Sequence, residues 1–204
     1  MTIMHKSRPK SRPNSKAAAK QASHERIVAV AARAIRQTGY DGTGVAEIMK
    51  QAGLTHGAFY AHFASRDAML AEAADCAGAE SAATAVQTMA NAQPSKALAA
   101  MLQSYLSLAH VAHPERGCPI AALGSEMPRQ APEVRRAATR GIKEMVDLVA
   151  RQSPDWGKPG AHEQALVTVA TMVGAVMLAR AVDEPSLSNA FCQAALAHLI
   201  PQDD

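Results

Sequence analysis

Aromatic side chains are almost missing from this chain: three Phe, three Tyr and one Trp in 204 residues. Alternating β-branched and aromatic runs are scarce as well, while alanine makes up about a fifth of the sequence. Strands need the former and helices favour the latter, so the composition predicts an all-α fold. Only Cys76, Cys118 and Cys192 carry thiols, an odd number without CxxC spacing. That favours a reducing, cytoplasmic setting over a disulfide framework. There is no P-loop, no GxGxxG after a strand, no HExxH and no GxSxG, and the acidic residues are too scattered to build a carboxylate and histidine site on facing helices. His110, His113 and Cys118 follow H-x2-H-x4-C, which is not a zinc spacing, and Pro114 and Gly117 place them in a loop. An enzyme is therefore not expected, nor a cofactor or metal.

Charge is present but lopsided. Up to residue 26, Lys6, Arg8, Lys10, Arg12, Lys16, Lys20 and Arg26 stand against Glu25 alone. With a whole-chain net charge of +3, the basic character belongs to this N-terminal arm, residues 1–21. Broken by Pro9 and Pro13, the arm is too polar to fold alone and suits a polyanion such as nucleic acid; a solubilising leader is the alternative. No apolar stretch follows the charges, so it is not a signal peptide. One segment, "ALVTVATMVGAVMLARAV" at 165–182, reaches the lower length limit of a membrane span. It contains Thr168, Thr171 and Arg180, and a helix apolar all round is equally expected inside a helical interface, so no membrane is expected.

Helical periodicity starts near Ser23, a candidate N-cap, with Ile27, Ala31, Ala34 and Ile35 on one face and Arg26, Arg33, Arg36 and Gln37 on the other. Gly39 is the expected stop. A short second helix is predicted from about Val45 to Ala52, capped by Thr43 or Gly44. A third follows from His56 to Phe63 behind Thr55, and a fourth opens at Ser65 with Asp67 in its first turn. Two short helices joined by a Gly-containing turn form a helix-turn-helix pattern at about 45–64. Beyond residue 70, Pro and Gly breaks separate predicted helices at roughly 65–91, 95–112, 119–127, 132–152, 162–182 and 186–199.

Three of the seven aromatics crowd into "GLTHGAFYAHF", residues 53–63. On an ideal helix Phe59 and Phe63 lie about 40° apart, while Gly57, Ala58 and Ala61 fall on the far side, at about 160–260° from Phe59. Tyr60 and His62 flank that strip of small residues. This is the geometry of a helix lying in a DNA major groove, with the two Phe behind, the small residues near base edges and the polar rings reaching phosphates. A plain core helix accounts for the two Phe but not for Tyr60 and His62.

Residues 26–70, "RIVAVAARAIRQTGYDGTGVAEIMKQAGLTHGAFYAHFASRDAML", resemble the DNA-binding domain of the tetracycline-repressor (TetR) family. The matching features are Gly39-Tyr40, the run from Val45 through Ala52-Gly53-Leu54, Gly57, Phe59-Tyr60, His62-Phe63, and Ser65-Arg66-Asp67 leading to Leu70. The resemblance implies an all-α homodimer: an N-terminal three-helix DNA-binding domain at 22–82 and a larger helical ligand-binding and dimerisation domain at 83–204. It further implies a repressor released from a palindromic operator in double-stranded DNA when a small, mostly apolar effector moves the fourth helix. Thr55, Tyr60, His62 and Arg66 fall where relatives contact the sugar-phosphate backbone, and His56, Gly57, Ala58 and Ala61 where relatives face the bases. Gly44 replaces the usual Ser or Thr, a loss for which Thr43 compensates. Only His56 in the base-facing set can hydrogen-bond, so thymine methyls, water or DNA shape must carry part of the recognition.

"GCPIAALGSEMPRQAPEVRRA", 117–137, is similar to a subset of the family in which Gly-Cys opens a helix beside the ligand cavity. By the same resemblance, Met101, Leu102, Tyr105, Leu108, Cys118, Ile120, Leu123, Met127, Met145, Val149 and Met172 lie on cavity-lining helices. The helices at 162–182 and 186–199 take the positions of the dimer bundle. Cys118, at a helix N-terminus with Arg116 nearby, is a candidate sensor of oxidants or electrophiles; a buried core cysteine is the alternative. A helical adaptor without DNA affinity would leave the basic arm and residues 53–66 unexplained.

Overall fold

The computed structural model describes residues 15–42, 44–153 and 155–200. Among these it is all-helical, with nine α-helices joined by short 3₁₀ turns. Helix α1 (Ser15–Thr38) starts earlier than the Ser23 cap would place it. Ala17, Ala18 and Ala19 extend the helix upstream, and Ser23 sits inside it, its Oγ accepting from Arg26 Nη2 at 3.3 Å. The expected boundary at 21–22 thus falls within a continuous helix. Residues 1–14 of the predicted arm lie outside the described residues, as does Thr43. Gly39 ends α1 with φ +82°, a left-handed turn that a side chain would strain.

Helix α2 (Val45–Gln51) follows, with Gly44 at its N-cap making no side-chain bond. His56–Ala61 then forms a 3₁₀ helix, not the α-helix expected over 56–63. Only a few residues separate the Gly53 turn from the Ser65 cap, and in so short a span i→i+3 bonds such as His62 N–H to the Phe59 carbonyl (2.9 Å) suffice. Thr55 occupies the N-cap position, but its side chain makes no capping bond. Ser65 does cap α3 (Arg66–Ala90), accepting from the Ala68 amide at 3.0 Å.

Helix α3 is the spine of the molecule. Its first half joins Ile27, Ile35, Ile48, Met49, Phe59 and Leu70 in one buried cluster. It also packs on α4 (Ala97–Tyr105), α6 (Pro119–Leu123) and above all α7 (Pro132–Ala150), while α5 (Leu108–Ala112) and α9 (Pro185–Leu199) pack on α8 (Ala161–Ala181), which lies against α7. There Met101, Leu102, Val146, Met172, Val176 and Cys192 form a second core. Helices α3 and α7 cross at Gly78 and Gly141, where a Cβ on Gly78 would come within 3.7 Å of the Gly141 Cα. That is ordinary van der Waals contact, so the two glycines mark a close crossing with room for no more than a methyl group before the facing backbone is met.

The predicted single helix at 95–112 is divided. The break at Leu106 and Ser107 lets the Ser107 side chain cap α5, accepting from the His110 amide at 3.2 Å. Helix α8 is long and apolar enough to cross a bilayer, yet nearly half of its apolar window is buried in the protein.

Candidate nucleic-acid interface and internal cavity

The aromatics of residues 53–63 divide as their spacing predicts. Phe59 and Phe63 are 3% and 4% exposed and stack at 5.5 Å between ring centroids, whereas Tyr60 is 73% exposed. Burial of the two Phe, worth roughly 1.5–3 kcal/mol each, holds the segment on α1 and α3. His56, Gly57 and Ala61 are exposed. Around Gly57 no atom lies within 4 Å of a would-be Cβ, so bare backbone faces outward. The His56 ring meets Tyr60 edge-on at 6.3 Å.

Three predicted contact residues sit differently. Ala58 is half-buried and packs on the N-terminal core. His62 does not project freely: its Nδ1 is enclosed without a partner and its ring lies 5.8 Å from that of His24. Desolvation, then the neighbouring His24 and Lys20, lower the His62 pKa, so near neutrality it is an uncharged hydrogen-bonding group. Arg66 donates to the Tyr40 carbonyl and stands 3.7 Å from Asp41. It braces the turn after α1. Thr55 is exposed at the segment's start.

A cavity of about 310 Å³ opens among α3, α4, α7, α8 and the residues leading into α6. Met101, Tyr105, Cys118, Met145 and Met172 line it, with Ile120 and Val149. Leu102, Leu108, Leu123 and Met127 do not. Helix α4 turns Met101 and Tyr105, one helical turn apart, toward the space and Leu102 into the core. The chain break before α5 leaves Leu108 57% exposed. Helix α6 ends at Leu123, which with Met127 packs against the N-terminal cluster instead. Sequence reasoning missed the wall from α3, made by Ser81, Ala85, Thr88 and Met89; their mixed small and polar character carries no signal of burial.

Cys118 is 1% exposed at the N-cap of α6. The expected neighbour Arg116 borders the cavity, but its side chain is 82% exposed and 3.7 Å from Glu115. Arg180 takes its place in the interior, donating from Nη2 to the His110 carbonyl (2.6 Å) and from Nε to the Val111 carbonyl (3.2 Å). His110 Nδ1 meets the Tyr105 carbonyl at 2.5 Å, and Nε2 accepts from the Cys118 amide at 3.0 Å. Both ring nitrogens are therefore engaged, and burial lowers the His110 pKa, leaving it neutral. Gly117 is required beside it, since a Cβ there would lie 2.5 Å from the imidazole.

The interface and the cavity are tied by a buried charge. Arg36 of α1, placed on the outer face by periodicity, is in fact 3% exposed. Its Nη1 donates to the Gly117 carbonyl (3.2 Å) and its Nη2 to Glu80 Oε2 on α3 (2.5 Å). A second tie runs from the Tyr40 amide to Glu126 Oε2 at 2.9 Å. Gly117 lines the cavity, so one side chain connects the cavity wall to the helix that supports the helix-turn-helix.

A helix-turn-helix with an exposed, aromatic-backed reading segment, joined to a helical domain enclosing a largely apolar cavity, defines a DNA-binding regulator. Residues 27–73 match the family model described as "Bacterial regulatory proteins, tetR family", and residues 94–187 match "Transcriptional regulator LmrA/YxaF-like, C-terminal domain". The chain is 32% identical to the HTH-type transcriptional regulator Rv0196 of Mycobacterium tuberculosis (strain H37Rv), over 78% of this chain and 85% of that protein. Among solved structures it resembles a TetR transcriptional regulator from Chloroflexus aurantiacus, with TM-score 0.73 and 27% identity over 89% of this chain and 94% of the other. It also shares its fold with reduced NemR of Escherichia coli, with TM-score 0.73 and 21% identity over 87% and 95% of the two chains. The chain belongs to the TetR family of helix-turn-helix transcriptional regulators, which are not enzymes.

Proposed function

We propose that this regulator is a homodimeric repressor that leaves a palindromic operator when a small, mostly apolar effector enters the 310 Å³ cavity. The observation that carries the reading is the Arg36 bridge. A ligand that displaces Gly117 must also pull on α1, because the guanidinium holds both. Coupling of this kind needs a differential contact between two states, and the bridge supplies one. Under this reading His56, Gly57 and Ala61 face bases, and Thr55 and Tyr60 contact phosphate, with Thr43 outside the described residues. Ala58, His62 and Arg66 have supporting parts, although one His62 nitrogen can still reach the backbone.

Dimerisation is supported by two uncovered stripes. On α8, Val167, Ala170, Gly174 and Leu178 recur at helical spacing on the open side; on α9, Leu187, Ala190, Ala194 and Ala197 do the same. Small residues at Gly174 and Ala190 allow the close approach of a four-helix bundle. Two subunits would then present their reading segments to successive major grooves. A gel-shift with the DNA upstream of the gene tests the reading. Tight binding to a palindrome, steeply weakened by salt and reversed by an apolar compound, is the expected result; binding that no compound reverses would refute the effector role.

A further inference from the structure

Two hydrogen-bond donors, one on the cavity wall and one behind Gly117, lack an oxygen or nitrogen acceptor. The Tyr105 hydroxyl and Arg180 Nη1 are both enclosed and unpartnered, half of the four such side-chain atoms among the described residues. Enclosed donors in folded proteins are nearly always paired, so two orphans at one place ask for an explanation. Each lies within electrostatic reach of the other and of the Cys118 thiol, a weak sulfur partner beside the hydroxyl that an anionic oxygen would outcompete.

The charge is unbalanced there too. Arg180 is half-buried, its other two nitrogens bond neutral carbonyls, and among the described residues no carboxylate forms an ion pair with it. The nearby acid, Glu115, is engaged with His113 at 3.3 Å and Arg116 at 3.7 Å. Among the described residues no Asp, Glu or Lys lines the cavity, the one charged lining side chain is the cation Arg116, and Tyr105 is the sole Phe, Tyr or Trp in the lining. Such walls do not suit a cation, which needs carboxylates or an aromatic cage. His110 cannot serve as receptor, since both its nitrogens are used.

We propose that the effector is an apolar molecule bearing one anionic oxygen, a carboxylate or a phenolate, received by the Tyr105 hydroxyl and Arg180 Nη1. The proposal rests on the reading of the cavity as the effector site. Methionine and alanine walls take the apolar body. The oxygen reaches its donors past Gly117, where Arg180 Nη2 stands only 3.1 Å from the position of an absent Cβ. Displacing Gly117 and Cys118 loads the same carbonyl that Arg36 holds, so recognition of the oxygen and the pull on α1 are one event.

Calorimetric titration of the full chain with decanoate, decan-1-ol and decylamine tests this. Decanoate should bind at least about tenfold tighter than decan-1-ol, with decylamine weakest, as expected when charge-assisted bonds are made to one member only. In Arg180→Met the acid-to-alcohol ratio should fall close to one while affinity for the alcohol holds. Tyr105→Phe, which keeps the packing, should lower the ratio by about threefold or more. Decan-1-ol or decylamine binding as tightly as decanoate overturns this proposal alone, as does a ratio unchanged in Tyr105→Phe. Binding of none of the three overturns the apolar-effector reading and this proposal together.

Discussion

Replacing Arg36 by Met removes a guanidinium that makes three bonds, to the carbonyls of Ala32 (2.9 Å) and Gly117 (3.2 Å) and to Glu80 (2.5 Å). The three losses differ. The Ala32 carbonyl keeps its place in the helix ladder. The Gly117 carbonyl loses its partner in a buried setting, which costs about 1–3 kcal/mol. Glu80, with its side chain 47% exposed, can rehydrate, so the full 3–5 kcal/mol of a broken buried pair is not reached. Methionine, of similar length, recovers roughly 1 kcal/mol by filling an enclosed slot. The net expectation is a loss of about 1–3 kcal/mol, which for a chain of this size lowers Tm by roughly 3–10 °C. Circular dichroism melting measures that loss. Hydrogen exchange should also show the amides of residues 39, 40, 117 and 118 exchanging at least about tenfold faster, because the tie between cavity wall and α1 is gone. A variant that melts within about 1 °C of the wild type, with unchanged exchange at those amides, would refute the bridge.

Tyr60→Phe should weaken binding to specific and random duplexes alike by about 0.5–1.5 kcal/mol; a loss confined to one operator sequence would contradict a phosphate contact. Burial, reinforced by Glu126, raises the Tyr40 pKa to about 12. The unfolded chain therefore ionises first, and the stability linked to Tyr40, complete below about pH 10, falls by roughly 2 kcal/mol as pH rises to 12. Tyr40→Phe should flatten that alkaline decline in urea-unfolding titrations without loss at pH 7, since the hydroxyl has no partner to lose. Leu178→Glu, on the open stripe of α8, should sediment as a monomer at micromolar concentration; sedimentation at twice the monomer mass would remove this face from the dimer.

Much of the fold could be read because its determinants are local. Ser65 with Asp67 starts a helix wherever the chain goes, Gly39 stops one, and Pro and Gly cut the C-terminal half into segments whose ends fall within a few residues of the expected ones. The division of Phe59 and Phe63 from Tyr60 follows from spacing alone, and it survives the 3₁₀ winding because Phe63 lies just beyond the 3₁₀ segment and its amide makes an α-type bond to the Phe59 carbonyl (3.0 Å). The finer placements did not survive. His62 turned inward with the tighter winding, and Ala58 is half-buried on the core; Leu102 faces the core from α4, Leu108 left the cavity at the Leu106–Ser107 break that no Gly or Pro marks, and Leu123 and Met127 left it where α6 stops at Gly124.

Sequence by itself determined the class: helical, two-layered in function, with a DNA-reading segment backed by aromatics and a cavity-bearing C-terminal half. Only the tertiary structure decided how the halves speak to each other. Arg36 reads as a solvent-facing charge until the fold brings Glu80, 44 residues on, and Gly117, 81 residues on, to its two nitrogens. Arg180 likewise lies in an apolar run until α5 supplies its carbonyls. Periodicity and capping are set by neighbours a few residues away, but the burial of a charge depends on partners that only long-range packing can provide.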